Sequence, residues 1–243
     1  QKIERWDSYR GFIFATLSAV ARPFEEHIGE VKKYIDYYCD LSPTGEITVG
    51  TTGIYKQKYE GNWKIQLEGS VEGYHVWHTH KNAVDVMARE VPLMKEYPRL
   101  PVKAFDLGYG HNIIENYTLT DEQVFERWPA EFVDALTAAH GVERAMNALR
   151  HRFNLVLFPN FALLEYHVRV IRPTAVDQTE VRTYHTSLVG APEDATLADM
   201  MSSAEPIKVS AETDQEEVAK LVAKYDLFSV PVVDARNHLI GVL

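Results

Sequence analysis

The stretch that decides the fold runs from Gly61 to His80 and reads Gly-Asn-Trp-Lys-Ile-Gln-Leu-Glu-Gly-Ser-Val-Glu-Gly-Tyr-His-Val-Trp-His-Thr-His. Three of the ten histidines of the chain, His75, His78 and His80, fall within its last six positions. Because neutral imidazole is a common ligand of iron and zinc, this cluster predicts a metal site. The spacing alone allows zinc as well as iron. An alternative interpretation makes them surface or core histidines beside Trp77.

The spacing of these histidines also constrains the backbone around them. In an ideal helix with about 3.6 residues per turn, His75 and His78 share one face, whereas His75 and His80 diverge by about 140°. A ligand pair formed by His75 and His80 therefore requires a helix to end or to kink between them.

Composition restricts the class of protein. The 243 residues are 46% hydrophobic and 25% charged, which is typical of a globular chain. The net charge of −10 argues against nucleic acid as a partner, and no apolar run reaches the length of about 18 residues that predicts a membrane span. The single cysteine, Cys39, excludes an internal disulfide and suits a reducing cytoplasm. The start at Gln1, without Met, is interpreted as that of a fragment or a processed chain.

Periodicity predicts irregularly alternating strands and helices over the first two-thirds of the chain. Helices are expected at residues 23–38, 120–140 with an interruption at Pro129, and 142–151. Strands are expected at 9–17, 47–59 with breaks at Gly50 and Gly53, 62–64, 153–158, 162–172 and 180–184. Strands grouped with long helices, without a regular βαβ rhythm, predict an α+β domain around an antiparallel sheet with flanking helices.

The stretch from Gly61 to His80 is similar to the iron-binding signature of the large (alpha) subunits of Rieske-type aromatic-ring-hydroxylating dioxygenases. That signature has Asn-Trp-Lys, then Glu-Asn, then an acid three residues before one ligand histidine, and a second ligand histidine five residues later. Supporting blocks follow in the family's order over residues 1–186: Tyr9-Arg-Gly-Phe-Ile-Phe-Ala, Gly108-Tyr-Gly-His, Phe158-Pro-Asn-Phe and Val170-Ile-Arg-Pro-Thr.

The resemblance implies a helix-grip (START-like) catalytic domain that holds Fe(II) through His75, His80 and a carboxylate, with Glu72 as the acid that connects the iron site to the electron donor. It also implies a small aromatic substrate, O2, electrons from a reductase or ferredoxin, and a homo-oligomer, a trimer in the family. In the complete family protein a [2Fe-2S] cluster delivers the electrons. Such a cluster needs two cysteines and two histidines, and Cys39 alone cannot supply them.

The sequence departs from the family pattern at three points. Glu72 stands where the family has Asp, and Gly69 stands where it has Asn. The third iron ligand should be an Asp about thirty residues beyond the Thr-Glu-Val strand, where this sequence is different. Acids are present in that region at Asp194, Asp199 and Asp214, but none lies in the family context, so none is assigned.

The C-terminal segment, residues 196–243, does not continue the oxygenase pattern. Residues 196–243, with Ser-Val-Pro-Val-Val-Asp at 229–234, look like a partial CBS domain of the magnesium-transporter type and predict a βαββ unit. We therefore expect a catalytic domain at residues 1–190 and a partial CBS domain at 191–243, joined as a natural fusion, as a chimera or by coincidence, of which the chimera is preferred. CBS pairs bind adenine nucleotides or support Mg2+ sites.

Three functional hypotheses follow. The chain is the catalytic part of an iron-dependent oxygenase, a regulatory CBS module of a magnesium transporter, or a ligand-binding protein that uses the sheet without iron.

Overall fold

The computed structural model describes residues 3–50, 54–75, 78–81, 85, 102–164, 167–191, 208–225, 231–236 and 239–242. The chain divides into two compact units. The first comprises Gln1–Gly73 and Leu100–Thr196, and the second comprises Tyr74–Arg99 and Leu197–Leu243. The domain boundary that the sequence predicts near residue 190 stays a prediction.

The first unit combines strands and helices in an irregular order. Its described strands are β1 (Arg5–Tyr9), β2 (Phe12–Thr16), β3 (Ile47–Val49), β4 (Tyr55–Glu60), β5 (Lys103–Asp106), β6 (Asn112–Thr118), β7 (His151–Leu157), β8 (Phe161–Leu164), β9 (His167–Ala175) and β10 (Gln178–Leu188). Its described helices are α1 (Phe24–Ile28), α2 (Val31–Cys39), α3 (Trp63–Val71), α4 (Asp121–Arg127), α5 (Ala130–His140) and α6 (Val142–Arg150).

An eight-stranded antiparallel sheet organises this unit. The strand order is β3-β10-β9-β8-β7-β6-β5, and β4 also pairs with β10. Strands β1 and β2 form a separate antiparallel hairpin. The predicted α+β class, an antiparallel sheet with flanking helices, is confirmed.

The two faces of the sheet carry two hydrophobic cores, because side chains alternate between the faces of a strand. On one face, called the α2 face, Ile35 of α2 belongs to the same buried cluster as Leu155 and Leu163. On the other, called the α3 face, Leu67 of α3 packs with a group of sheet residues. That group comprises Val156, Ala162, Leu164 and Ile171.

Several element boundaries differ from those predicted. The strand expected at residues 9–17 corresponds to β2. A turn at Arg10 and Gly11, with φ of 50° and 83°, connects it to β1 in a hairpin. The helix expected at residues 23–38 is split into α1 and α2, because Gly29 ends α1 with a positive φ of 34°. Asn62, Trp63 and Lys64, interpreted as part of a strand, instead begin α3. Strands β5 and β6 were not expected from the pattern.

The predicted breaks between the helices at residues 120–151 are confirmed. The helical run over residues 120–140 is interrupted at Pro129, and Gly141 separates α5 from α6. Thr120 begins α4 with a capping box, in which its hydroxyl accepts from the Gln123 amide and the Gln123 side chain accepts from the Thr120 amide.

The second unit contains the predicted βαββ arrangement. Its described elements are β11 (Val209–Ser210), α7 (Gln215–Tyr225), β12 (Pro231–Val233) and β13 (Leu239–Val242). Strand β11 pairs in parallel with β12, which pairs antiparallel with β13. Residues 207, 229, 230 and 243, at the edges of the predicted strands, lie outside the described residues. None of the helices in the described part of the chain is long and apolar enough to cross a membrane.

Candidate metal centre and the helix that leads to it

The first turn of α3 is fixed to the sheet by its capping residue. The Asn62 side chain accepts a hydrogen bond from the Lys64 amide at 3.1 Å, as N-cap residues do, and donates to the Val176 carbonyl oxygen at 2.7 Å. The Thr179 hydroxyl on β10 donates to the Gly61 carbonyl oxygen at 2.8 Å. Asn62 therefore both starts the helix and holds it at the β9–β10 turn.

The other end of α3 delivers the chain towards His75. Glu72 ends the helix with extended backbone angles, and its amide donates to the Glu68 carbonyl oxygen at 3.0 Å. At Gly73 the backbone passes close to the sheet, since a Cβ there would lie 3.2 Å from Ile114 Cδ1 and 3.3 Å from Val102 Cγ1. A glycine allows this close approach.

The rings of His75 and His80 lie next to each other. Their centroids are 5.1 Å apart and the ring planes meet at 74°. A tight turn brings them together, in which the His75 carbonyl oxygen accepts from the amides of His78 at 3.0 Å and Thr79 at 2.6 Å. His75 is partly buried and His80 is exposed. Helix α3 already ends at Val71, before His75, and not between His75 and His80 as the spacing had indicated. Trp77 lies outside the described residues.

The described acids of the prediction do not complete a metal-binding group with these rings. Among the described residues, no group of three or more His, Cys, Asp or Glu side chains is placed to hold a metal ion. Asp194 and Asp199 lie outside the described residues. Asp214 accepts a hydrogen bond from the Glu216 amide at 2.8 Å, which is the behaviour of a helix cap.

His111, in the Gly108-Tyr-Gly-His block, is a structural histidine. Its ring is buried, Nδ1 accepts from the Phe158 amide at 3.0 Å, and Nε2 lies 2.9 Å from the His27 carbonyl oxygen. This arrangement assigns the proton to Nε2, because Nδ1 is already an acceptor. Burial lowers the pKa of His111 and keeps the ring neutral.

Cys39 is fully buried in the core of the first unit. Burial raises its pKa to about 11, so it behaves as a small apolar residue.

Glu115 is also largely buried and does not lie on a solvated face. It accepts from the Tyr34 hydroxyl at 3.2 Å and lies 3.7 Å from His151 Nδ1, with 14% of its side chain exposed.

Sequence reasoning did not identify a basic group on β9 that contains His167 and Arg169. The Nε2 atom of His167 is buried and has no hydrogen-bond partner among the described residues. Burial, and then the charges of Arg169 and His185, lower the pKa of His167 to about 4. The alternation His167, Arg169, Ile171 along one strand was the available signal, but it needs the strand register to show which face it occupies.

A cavity of about 550 Å³ opens elsewhere, between α2 and the start of α6. It is lined mainly by polar residues, among them Asp36, Asp40, His140 and Arg144. None of the predicted site residues lines it, so its size does not identify it as the catalytic pocket.

Comparison with solved structures agrees with the fold. The chain superposes on naphthalene 1,2-dioxygenase with indole bound in the active site with a TM-score of 0.62 at 22% identity, covering 81% of this chain and 46% of that one. A naphthalene 1,2-dioxygenase from Rhodococcus sp. gives the same TM-score and identity, with 80% and 48% covered. At this identity the likeness is one of fold.

Sequence relatives point to the same family. Toluate 1,2-dioxygenase subunit alpha of Pseudomonas putida is 33% identical over 196 residues, covering 76% of this chain and 42% of the relative. The 2-halobenzoate 1,2-dioxygenase large subunit of Burkholderia cepacia is 31% identical over 197 residues, covering 75% and 41%. The chain therefore spans less than half the length of these two relatives.

A shorter match concerns a different class of protein. The magnesium transporter MgtE of Bacillus subtilis is 38% identical over 63 residues, which are 26% of this chain and 14% of the transporter. By contrast, residues 32–226 match the family model described as the ring hydroxylating alpha subunit, catalytic domain. The chain thus belongs to the family of ring hydroxylating alpha subunits, and most of its length corresponds to their catalytic domain.

Proposed function

We propose that this chain is the catalytic part of an iron-dependent dioxygenase that hydroxylates aromatic rings. The observation that carries the proposal is the contact between the His75 and His80 rings, with centroids 5.1 Å apart, in a chain of this family. The sequence interval between them is the one that the family's ligand histidines have.

The two imidazoles fit a non-haem iron site. Metal–imidazole bonds are about 2.1 Å long, so two rings bonded to one ion must lie side by side, as these rings do. Two histidines and one carboxylate on one side of Fe(II) leave positions open for other ligands, and the bound metal would supply the activation of O2. His75 and His80 would be two of the protein ligands, and the carboxylate ligand stays unassigned.

Glu72 is proposed as the acid that connects the iron site to its electron donor. It follows the last turn of α3, three residues before His75, and its extended backbone ends the helix there. A carboxylate at this position would orient the His75 segment and accept a hydrogen bond from a histidine of the electron donor. The side chain is one methylene longer than the family's Asp but keeps the negative charge.

Partners and substrate follow from the family. With one cysteine, Cys39, this chain does not supply the ligands of a [2Fe-2S] cluster, so electrons would come from a cluster-bearing domain fed by a ferredoxin or reductase. The two relatives described above are named for toluate and 2-halobenzoate, which are ring carboxylates. We therefore infer an aromatic acid as substrate with O2 as co-substrate, acting in the cytoplasm as a homo-oligomer, a trimer.

Iron binding tests the proposal. The chain is purified without metal, loaded with Fe(II) in the absence of air and freed of excess iron, and its iron content is measured. We expect about one iron per chain for the wild type and a loss of at least tenfold in His75→Ala and His80→Ala.

Two matched variants control this experiment. His78→Ala removes a neighbouring imidazole, and Glu72→Gln removes the nearby charge, yet both should keep the iron. Equal iron contents in His75→Ala, His78→Ala and the wild type would contradict the assignment of ligands.

A second function is favoured by the transporter match and by the βαββ arrangement of β11 to β13. Residues 191–243 would then be a partial regulatory CBS domain for Mg2+ or an adenine nucleotide. Calorimetric titration with Mg2+ and with ATP tests it. Binding of either by the iron-free chain supports this function, and the absence of both contradicts it.

A further inference from the structure

Arg169 lies on the α3 face of the sheet, as the strand register shows. It pairs with Ala162 on β8 and with Thr183 on β10. Directly opposed residues of antiparallel strands point to the same face, and Ala162 belongs to the core that packs against α3. Two residues further along β9, Ile171 belongs to the same core. The guanidinium therefore stands on the face of the sheet that carries α3.

This guanidinium has no counter-ion within the part of the chain that the structure describes. The arginines of β9 and β10 on the other face, Arg172 and Arg182, both contact Glu180, at 3.3 Å and 2.8 Å. For Arg169, neither a salt bridge nor a hydrogen bond to a described residue is formed. Burial lowers its pKa, and no acid among the described residues opposes that effect.

A partly buried guanidinium without a partner among the described residues has a desolvation cost, which a bound anion would offset. Desolvating a charge without a partner opposes folding, and arginine in such places is normally matched by a carboxylate. Arg169 is only partly buried, so part of its side chain is open to a ligand.

The described neighbours of Arg169 on this face are two histidines and no acid. His167 and His185 face each other across β9 and β10. His167 is neutral near pH 7, since its pKa is about 4, and His185 is exposed. Arg169 supplies the permanent positive charge here. Beside it, the small side chain of Ala162 and the hydroxyl of Thr183 complete a surface that suits a planar anion.

We propose that Arg169 binds the carboxylate group of an aromatic acid on the α3 face of the sheet. The inference rests on the proposed function for the identity of the ligand. A guanidinium can form two parallel N–H···O hydrogen bonds with one carboxylate, which selects ring acids over uncharged rings. Arg169 is in this sense a specificity-determining residue.

The experiment titrates the iron-free chain with benzoate as the probe. Isothermal titration calorimetry measures the dissociation constants of benzoate, of the uncharged analogue benzamide and of inorganic phosphate. We expect the wild type to bind benzoate at least tenfold more tightly than the other two. Arg169→Met should weaken benzoate binding at least tenfold and leave benzamide binding unchanged.

Arg172→Met is the matched control, because it removes an arginine of the same strand that points to the opposite face. It should bind benzoate as the wild type does. If Arg169→Met does not fold, Arg169→Lys replaces it. This variant keeps the charge but cannot form the paired hydrogen bonds, so it should weaken benzoate binding by a smaller factor that is still measurable.

Three results would overturn the inference. These are no benzoate binding by the wild type, equal benzoate binding by the wild type and Arg169→Met, or equal binding of phosphate and benzoate. The iron measurement separates this inference from the proposed function. Arg169-dependent benzoate binding in a chain that holds no Fe(II) contradicts only the iron assignment, whereas iron binding with Arg169-independent benzoate binding contradicts only the inference about Arg169.

Discussion

His167 shows how one buried ring links the stability of the chain to pH. Its folded-state pKa of about 4 lies below the value near 6.5 of a free histidine, chiefly because its ring is buried and then because Arg169 and His185 lie nearby. Between these two values the unfolded chain binds more protons than the folded chain. The stabilising contribution of neutral His167 is therefore complete above about pH 6.5 and is lost as the pH falls towards 4.

Replacing His167 with Gln removes this titration. The free energy of unfolding, measured by urea denaturation at several pH values, should decrease between pH 6.5 and 4 by about 1–3 kcal/mol less in His167→Gln than in the wild type. His185→Gln is the control, because that ring is exposed. Parallel pH profiles for the wild type and His167→Gln would show that the buried ring does not titrate as expected.

Helix α3 contains a glycine that its backbone does not require. Gly69 lies within the helix, and a Cβ built on it meets no atom within 4 Å. Alanine restricts the unfolded chain more than glycine does, so Gly69→Ala should raise the free energy of unfolding by about 0.5–1 kcal/mol. The family's Asn would meet no obstacle at its Cβ, so this departure does not come from crowding there.

Gly141 is the matched contrast to Gly69. It also has open space around it, but its φ is 81°, in the left-handed region where a side chain is strained. Gly141→Ala should therefore lower the free energy of unfolding by about 1 kcal/mol or more. Thermal unfolding followed by circular dichroism measures both variants. A decrease for Gly69→Ala would mean that α3 needs a conformation that only glycine supplies.

A buried ion cluster connects distant parts of the first unit. Asp40 follows α2 and is 1% exposed, and its carboxylate contacts Arg10 of the β1–β2 turn at 2.8 Å and Arg144 of α6. Arg10 also donates to the Gly45 carbonyl oxygen at 3.1 Å. The cluster therefore connects the hairpin, α2 and α6, and Asp40 is the carboxylate that both arginines share.

Removal of that carboxylate should destabilise the first unit. Asp40→Asn leaves two guanidinium groups without their common partner, and we expect a loss of about 2–4 kcal/mol in the free energy of unfolding. Asp36→Asn is the control, because Asp36 is one-third exposed and lies 3.4 Å from Arg10, so its loss should cost about 1 kcal/mol or less. Guanidinium denaturation measures both. Equal effects would contradict the central role of Asp40.

Much of the architecture was predictable because it depends on local patterns. The breaks at Pro129 and Gly141 follow from the backbone chemistry of those residues, and the βαββ arrangement follows from short apolar runs around one amphipathic helix. Strands β5 and β6 pair with each other across the short turn at residues 107–111, and the apolar pattern did not reveal this hairpin. Asn62 was assigned to a strand, since nothing local distinguishes an extended residue from a helix cap with the same backbone angles.

Helix periods and chain breaks act over a few residues and were sufficient for the α+β class, whereas the family and the choice of His75 and His80 came from the resemblance of the stretch from Gly61 to His80. Only the folded chain decided that those two rings lie side by side, that Glu115 is largely buried, and that Arg169 lies on the α3 face with no acidic partner among the described residues. The physical reason is that burial and charge pairing depend on which strand becomes a neighbour and in which register. Both are settled by packing between segments far apart in the sequence.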